Sequence, residues 1–375
     1  MSPGERRVLI VGPSLRYLGG QAVQAARLLD GLRSVDGLRV EYLVVDPALP
    51  APFDALQRVK LVRTVVTSMA YVASLLRRVP SADTIHVFSA SYWSFLLAPA
   101  PAMLIGRLFG KRVLLNYHSG EADDHLTRWG WHAKPLIRLA DEVIVPTDFL
   151  VDVFARHGIP STAIANHVDV NKMVVRQRDS LQPKFFSNRN FESHYNVGAI
   201  IDAFGAVQAQ YPDASLVITG SGSLRSSLEA RVSSLKLRNV RFTGPVQPGE
   251  MPALYAGADV YVNASLIDNM PLSLLEAYAS CLPVVTSDAG GIPWIAADGE
   301  TARVVPAGDT DALARAMAEI VAKPDEALAR AGAARRFVES RFSWQQVSAA
   351  WTRAYTGAAS LQCASGDAEK SISSN

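Results

Sequence analysis

The sequence predicts an α/β protein of two doubly wound domains facing a central cleft. Two observations carry that prediction. At 375 residues the chain is too long for one comfortable core, and at about 150 residues per domain it suggests two. Within it, short β-branched runs alternate with longer segments of helical period, the pattern of parallel strands joined by helices, and this rhythm starts twice.

In the first half the strand-like runs are Arg7–Val11, Arg39–Val45, Thr84–Phe88, Arg112–Tyr117 and Glu142–Val145. Most are apolar on both faces, as a parallel strand covered by helices on both sides must be. Asn166 to Ser180 has no clean period and turns polar, which makes it the linker candidate. It divides a first domain, 1–170, from a second, 171–342. The second half restarts at Lys184–Phe186 and continues through Ser215–Thr219, Asn239–Phe242, Asp259–Asn263, Pro283–Thr286 and Ala302–Val305. A last helix over 343–358 has Ser343 as its N-cap. The tail, 360–375, is poor in apolar residues and is expected to be disordered.

Apolar residues make up 49% of the chain and charged ones 19%, which suits a large buried core and excludes disorder for most of it. A net charge of +2 demands no nucleic-acid partner. Cys281 and Cys363 lie far apart, without the spacing of a disulfide framework or a zinc site, and fit a reducing cytoplasm. The N-terminus shows no signal-peptide pattern, and no run reaches the roughly 18 apolar residues of a membrane span. The nearest approach, Val66 to Val79, follows a basic segment and has two readings. It is either a helix lying peripherally on anionic lipid, with Arg58, Lys60, Arg63, Arg77 and Arg78 at the head groups, or an ordinary crossover helix with solvated charges at its ends.

Ligands of open parallel sheets bind beyond the carboxyl ends of the strands, so the chemistry belongs in the loops there. The first such loop, Gly12 to Gly20, ends on Gly19-Gly20 and leads into a helix. Paired glycines let a ligand approach the backbone, and the helix start offers unpaired amides to a phosphate; the alternative is a tight turn. The strongest constellation is ASLIDNMPLSLLEAYASCLPVVTSDAGG, Ala264 to Gly291. A loop carries Asp268 and Asn269, Pro271 falls where a first helical turn accepts it, and Glu276 lies in the helix. Free amides from Asn269 through Met270 to Leu272 would meet a diphosphate, while two carboxylates would accept from sugar and ribose hydroxyls.

This segment resembles the acid, seven residues, acid signature of the large retaining glycosyltransferase family of the two-Rossmann (GT-B) type, often called family 4. Other stretches agree in order: GGQAVQAARLLDGL, ADEVIVPTDFLVDVFARHGI followed by NHVDV, SLVITGSGSLRSSLEARV, VRFTGPVQPGEMPALYAGADVYVNAS and PVVTSDAGGIPWIAADGETARVVPAGD. The resemblance implies two Rossmann-like domains, with the last helix crossing back onto the first. It also implies that Glu276 holds the ribose, that Asp268 holds the transferred sugar, that Arg189 neutralises the diphosphate, and that His118 lies at the cleft floor beside that sugar. Gly220 would lie near the nucleotide. The chain departs from the family at Asp268, where Glu is usual. The lysine expected shortly after Arg189 is replaced by Ser193, His194 and Tyr195. Cys281 and Trp294 stand where the family often has a glycine and an acid.

The expected reaction is sugar transfer from a nucleoside-diphosphate sugar to a sugar or lipid-linked sugar acceptor, with retention, in polysaccharide, glycolipid or glycoconjugate synthesis. It needs no cofactor and no metal for the chemistry, so Glu121, Asp123, Asp124 and His125 read as an acceptor-side loop. Two alternatives remain: a catalytically weak sugar-binding or partner subunit, and a sugar-nucleotide 2-epimerase. For Arg189 the competing role is a surface ion pair with Glu192.

Overall fold

The computed structural model describes residues 5–14, 19–48 and 60–356. The first domain holds strands β1 (Arg6–Gly12), β2 (Leu38–Val44), β3 (Thr84–Ser89), β4 (Arg112–Tyr117), β5 (Glu142–Val145) and β6 (Thr162–Ala163), in the order β2-β1-β3-β4-β5-β6, all parallel. Its helices are α1 (Gly20–Leu32), α2 (Lys60–Arg78), α3 (Tyr92–Leu97), α4 (Pro99–Leu108), α5 (Ala122–Arg128), α6 (Gly130–Ile137) and α7 (Asp148–Arg156). Side chains of successive strand residues face opposite ways, and β1 shows the consequence. Leu9 and Val11 pack under α2, α4, α6 and α7, while Val8 and Ile10 face α1.

The second domain repeats the plan with β7 (Lys184–Asn188), β8 (Ser215–Thr219), β9 (Val240–Gly244), β10 (Val260–Val262), β11 (Val284–Ser287) and β12 (Arg303–Val305), in the order β12-β11-β10-β7-β8-β9. Around them lie α8 (Val197–Gln210), α9 (Arg225–Ser234), α10 (Met251–Gly257), α11 (Leu272–Ala279), α12 (Thr310–Ala322) and α13 (Pro324–Arg341). Phe185 and Phe186 of β7 again feed the cores on the two faces of one sheet.

All eleven expected strands are present, with ends shifted by a residue or two. Asn239, for example, turns at a φ of +57° just before β9. The added strand, β6, is two residues long and too short to show a period. The last helix, α14 (Trp344–Thr356), packs on the first domain: Val347, Trp351 and Tyr355 join Val8 and Ile10 in one core, and the Tyr355 hydroxyl lies 2.6 Å from His86 Nδ1.

The linker expected over Asn166 to Ser180 is not free-standing. Val168, Val170 and Met173 enter the second-domain core, and Arg176 and the buried Arg178 both bind Asp259, with Arg178 Nε 3.2 Å from Oδ1. Asn171, Lys172, Gln177, Asp179 and Ser180 are exposed, so the polarity here combines solvation with one buried ion cluster. The Val168 amide donates to the Phe342 carbonyl, 2.9 Å, so the two chain crossings between domains lie side by side. Arg58 and the tail, 360–375, lie outside the described residues, as do residues 15–18 of the first loop.

Candidate functional site

The carboxyl ends of both sheets open onto one cavity of about 370 Å³ lined by residues of both domains. That is the size range of small-molecule pockets. From the first domain, Gly19 takes an extended conformation (φ −131°, ψ 158°) and Gly20 begins α1. A Cβ at either would meet nothing within 4 Å, so glycine here leaves the wall of the cleft bare beside the open helix start. His118 follows β4, its ring stacked on Phe88 with centroids 5.2 Å apart. Burial lowers its pKa to about 4, so the ring is neutral near pH 7, and its Nε2 is buried without a partner.

From the second domain, Arg189 follows β7, Gly220 follows β8 and the loop of Asp268 and Asn269 follows β10, while α11 carries Glu276; all line the cavity. Gly220 sits at a φ of +144°, where any Cβ would strike the Arg189 carbonyl, so glycine lets these two loops touch. Gly290 (φ +54°) does the same under Asp268, and the Gly291 amide donates to the Asp268 carbonyl, 3.1 Å.

Arg189 does not pair with Glu192. Its Nη2 binds Asp268, its Nη1 lies 3.1 Å from Ser273 Oγ, and its guanidinium sits 4.2 Å from the centroid of the Tyr195 ring. Burial works against its charge, and the Asp268 carboxylate more than offsets that, raising its pKa. Glu192 instead accepts from the Ser223 amide and hydroxyl, 2.9 and 2.7 Å. At the position of the missing lysine, Ser193–Tyr195 form a short 3-10 turn, and His194 and Tyr195 face the cavity. Among the described residues lining the cleft, Arg189 is the only arginine or lysine.

Two local expectations change. Pro271 is the N-cap of α11 rather than its first turn, because its ψ of 117° is extended. The Asn269 amide is already taken by Asp268 Oδ1, 2.9 Å, which leaves Met270, and Leu272 at the helix start, to offer amides. The residues of the acidic turn diverge: Asp123 meets His157, Asp124 meets Tyr92 and Arg128, and the buried His125 meets the Tyr117 hydroxyl, 2.8 Å. They lie in or beside α5 and do not converge on one point.

Three contacts were absent from the sequence reading. Glu276 Oε1 binds Arg27 of α1, in the opposite domain, and Glu276 Oε2 accepts from the Tyr255 hydroxyl, 2.8 Å. Thr147, the N-cap of α7, bonds through Oγ1 to Asn269 Oδ1. Only Thr147 carried a local signal, as a cap before an apolar run. Nothing in sequence spacing links Arg27 to a carboxylate 249 residues away.

The model for Glycosyl transferases group 1 matches residues 171–337, and that for Glycosyltransferase Family 4 matches residues 18–172. The chain is 27% identical, over 66% of its length and 72% of the relative's, to a GDP-mannose-dependent alpha-(1-6)-phosphatidylinositol monomannoside mannosyltransferase of Mycolicibacterium smegmatis. It is 28% identical to a glycogen synthase of Mycobacterium tuberculosis, covering 74% of this chain and 69% of that one. Among solved structures it is similar to sucrose-phosphate synthase from Thermosynechococcus elongatus, with a TM-score of 0.74 at 19% identity over 94% of this chain and 99% of that one. A second likeness is to Anabaena Alr3699/HepE in complex with UDP-glucose, with a TM-score of 0.73 at 16% identity over 94% and 100%. These likenesses show the GT-B fold.

Proposed function

The chain belongs to the glycosyl transferases of group 1 and family 4, and from that membership we propose that it moves a sugar from a nucleoside-diphosphate donor to an acceptor hydroxyl with retention at the anomeric carbon. The supporting observation is the convergence of Arg189, Asp268, Glu276 and His118 on one two-domain cleft. Glu276 takes the ribose hydroxyls. Arg189, with the amides at the starts of α1 and α11, takes the diphosphate, whose charge grows as the bond to the anomeric carbon breaks. Neutral His118 and Asp268 take hydroxyls of the transferred sugar.

Donor binding exchanges partners within the cleft: Arg189 turns from Asp268 to the diphosphate, and Asp268 is freed for the sugar. No side chain is assigned as a nucleophile, and the assignment calls on no metal and no cofactor. Closure between the side-by-side crossings at Val168 and Phe342 excludes water.

For the acceptor we favour a lipid-linked sugar at an anionic membrane face. Among the described residues, ten of the sixteen exposed large hydrophobic ones lie on or beside α2, α3, α4 and α6, among them Val65, Met69, Leu104, Leu108 and Trp131. From Ala55 to Gly120 the sequence holds one acid, Asp83, against eight arginines and lysines. An apolar face on a stretch of sequence rich in cations suits the acyl boundary and anionic head groups. No helix among the described residues is long and apolar enough to cross a membrane.

Among the described residues no lysine lines the cleft, which favours one rival, a sugar-binding partner subunit. The test is incubation with a panel of nucleoside-diphosphate sugars and lipid-linked acceptors, reading product configuration by NMR. A product that keeps the donor's anomeric configuration carries the proposal, and an inverted product sinks its retention. Donor binding without turnover for any acceptor leaves the partner-subunit reading. Exchange of the sugar's C2 hydrogen with solvent marks an epimerase.

A further inference from the structure

Arg27 lies within the stretch GGQAVQAARLLDGL but was given no role there, yet it joins the first domain to the acid of α11. The Arg27 and Glu276 side chains are only 20% and 9% exposed. The two oxygens of Glu276 have different kinds of partner. Oε2 is held by Tyr255, which belongs to the same domain and moves with it. Oε1 is held by Arg27, which arrives only when the two domains are together. A second cross-domain bond, from Thr147 to Asn269, lies at the other end of the same loop and helix. Arg27 itself does not line the cavity, whereas Glu276 does. Glu276 is thus open to the cavity, while the guanidinium that binds it lies outside the cavity lining.

A carboxylate as buried as this one is costly unless paired, and its cation comes from the opposite domain. We infer that Arg27 is a positioning residue that makes ribose recognition by Glu276 conditional on closure of the two domains. The inference rests on the proposed role of Glu276. Each carboxylate oxygen keeps a second lone pair, so a ribose diol donates from the cleft side while Arg27 and Tyr255 stay bound. When the domains part, Glu276 loses the partner that fixes its rotamer, and the nucleotide loses an oriented acceptor. Binding of a ribonucleotide and closure thus support each other, since each is stronger in the presence of the other.

The experiment is titration calorimetry of UDP and GDP, and of their 2′-deoxy counterparts, against the full chain, with small-angle scattering on the same samples. In the wild type, loss of the 2′-hydroxyl weakens the better nucleotide about tenfold, and nucleotide contracts the particle. Arg27→Met keeps the apolar stem, cuts the deoxy penalty to about twofold or less and abolishes the contraction. Arg27→Lys retains part of both, because a point charge replaces the planar fork. Glu276→Gln also removes the penalty. If Arg27→Met keeps the full penalty while Glu276→Gln loses it, the inference is overturned and the reading of Glu276 stands. If the wild type shows no penalty, the reading of Glu276 falls and the inference with it. Should Arg27→Met fail to fold, Arg27→Lys carries the comparison: a penalty equal to that of the wild type together with undiminished contraction overturns the inference.

Discussion

The pair of Arg189 and Asp268 states the main tension of the site, because the two groups that would hold opposite ends of a donor are bonded to each other. Removing one partner of a buried pair leaves an uncompensated charge, which costs about 3–5 kcal/mol, whereas removing both costs far less. Arg189→Ala should therefore lower both the denaturation midpoint and turnover, the latter by about a hundredfold or more. Arg189→Ala with Asp268→Asn should recover most of the stability and none of the activity. Urea unfolding and donor turnover on the two variants check this, and recovered turnover in the double variant would remove Arg189 from the chemistry. At this scale the sequence was partly readable. Cys281, flagged as standing where a helix-ending glycine is common, does adopt a left-handed φ of +52°. The partner of Arg189 was not readable, since Glu192 lies three residues away and Asp268 seventy-nine.

Among the elements, α1 carries two loads. Its N-terminal glycines face the cleft, and its far end packs against α14, where a Cβ on Gly31 would come within 2.7 Å of the Trp344 ring. Gly31→Ala gains helix propensity, yet it overpacks that crossing. The steric term should win, giving a net loss of about 1–3 kcal/mol by chemical denaturation. Trp344→Leu in the same background should return part of it by making room. The helix α14 was legible as a last helix, and its return to the first domain came from the resemblance, whereas the residues that make the contact, Val347, Trp351 and Tyr355, came only with the fold. The same holds for α2: its amphipathic stripe was readable, while the exposure of Val65 and Met69 came only with the fold.

For the molecule as a whole, four buried histidines set the response to acid. Burial lowers the pKa of His86 to about 3 and those of His118, His125 and His167 to about 4. Each value lies below the unfolded value near 6.5, so the unfolded chain binds more protons between the two. The stability of the neutral rings is whole above about pH 6.5 and falls as pH drops toward 4, with a slope per histidine approaching about 1.4 kcal/mol per pH unit. Calorimetry between pH 7.5 and 5 should show a falling melting temperature, and His167→Gln should flatten the dependence. A melting temperature that is level across that range would contradict the burial of these rings. On the outer face of the first domain, wild-type protein should sediment with anionic vesicles and not with zwitterionic ones. Met69→Glu and Leu108→Glu should weaken that binding while donor turnover on a water-soluble acceptor stays unchanged, and sedimentation unaffected by either charge would exclude this face.

The sequence by itself determined the strands, their alternation with helices, and the placement of Asp268 and Glu276 at the end of a strand and in the helix that follows. Such features are written within a turn or a strand, where period, glycine and proline act on near neighbours. Only the tertiary structure decided that Arg27 binds Glu276, that Arg189 rests on Asp268, and that the polar segment from Asn166 to Ser180 is pinned by Asp259. Those choices rest on which distant groups packing brings together, and one buried carboxylate accepts any cation that the fold delivers to it.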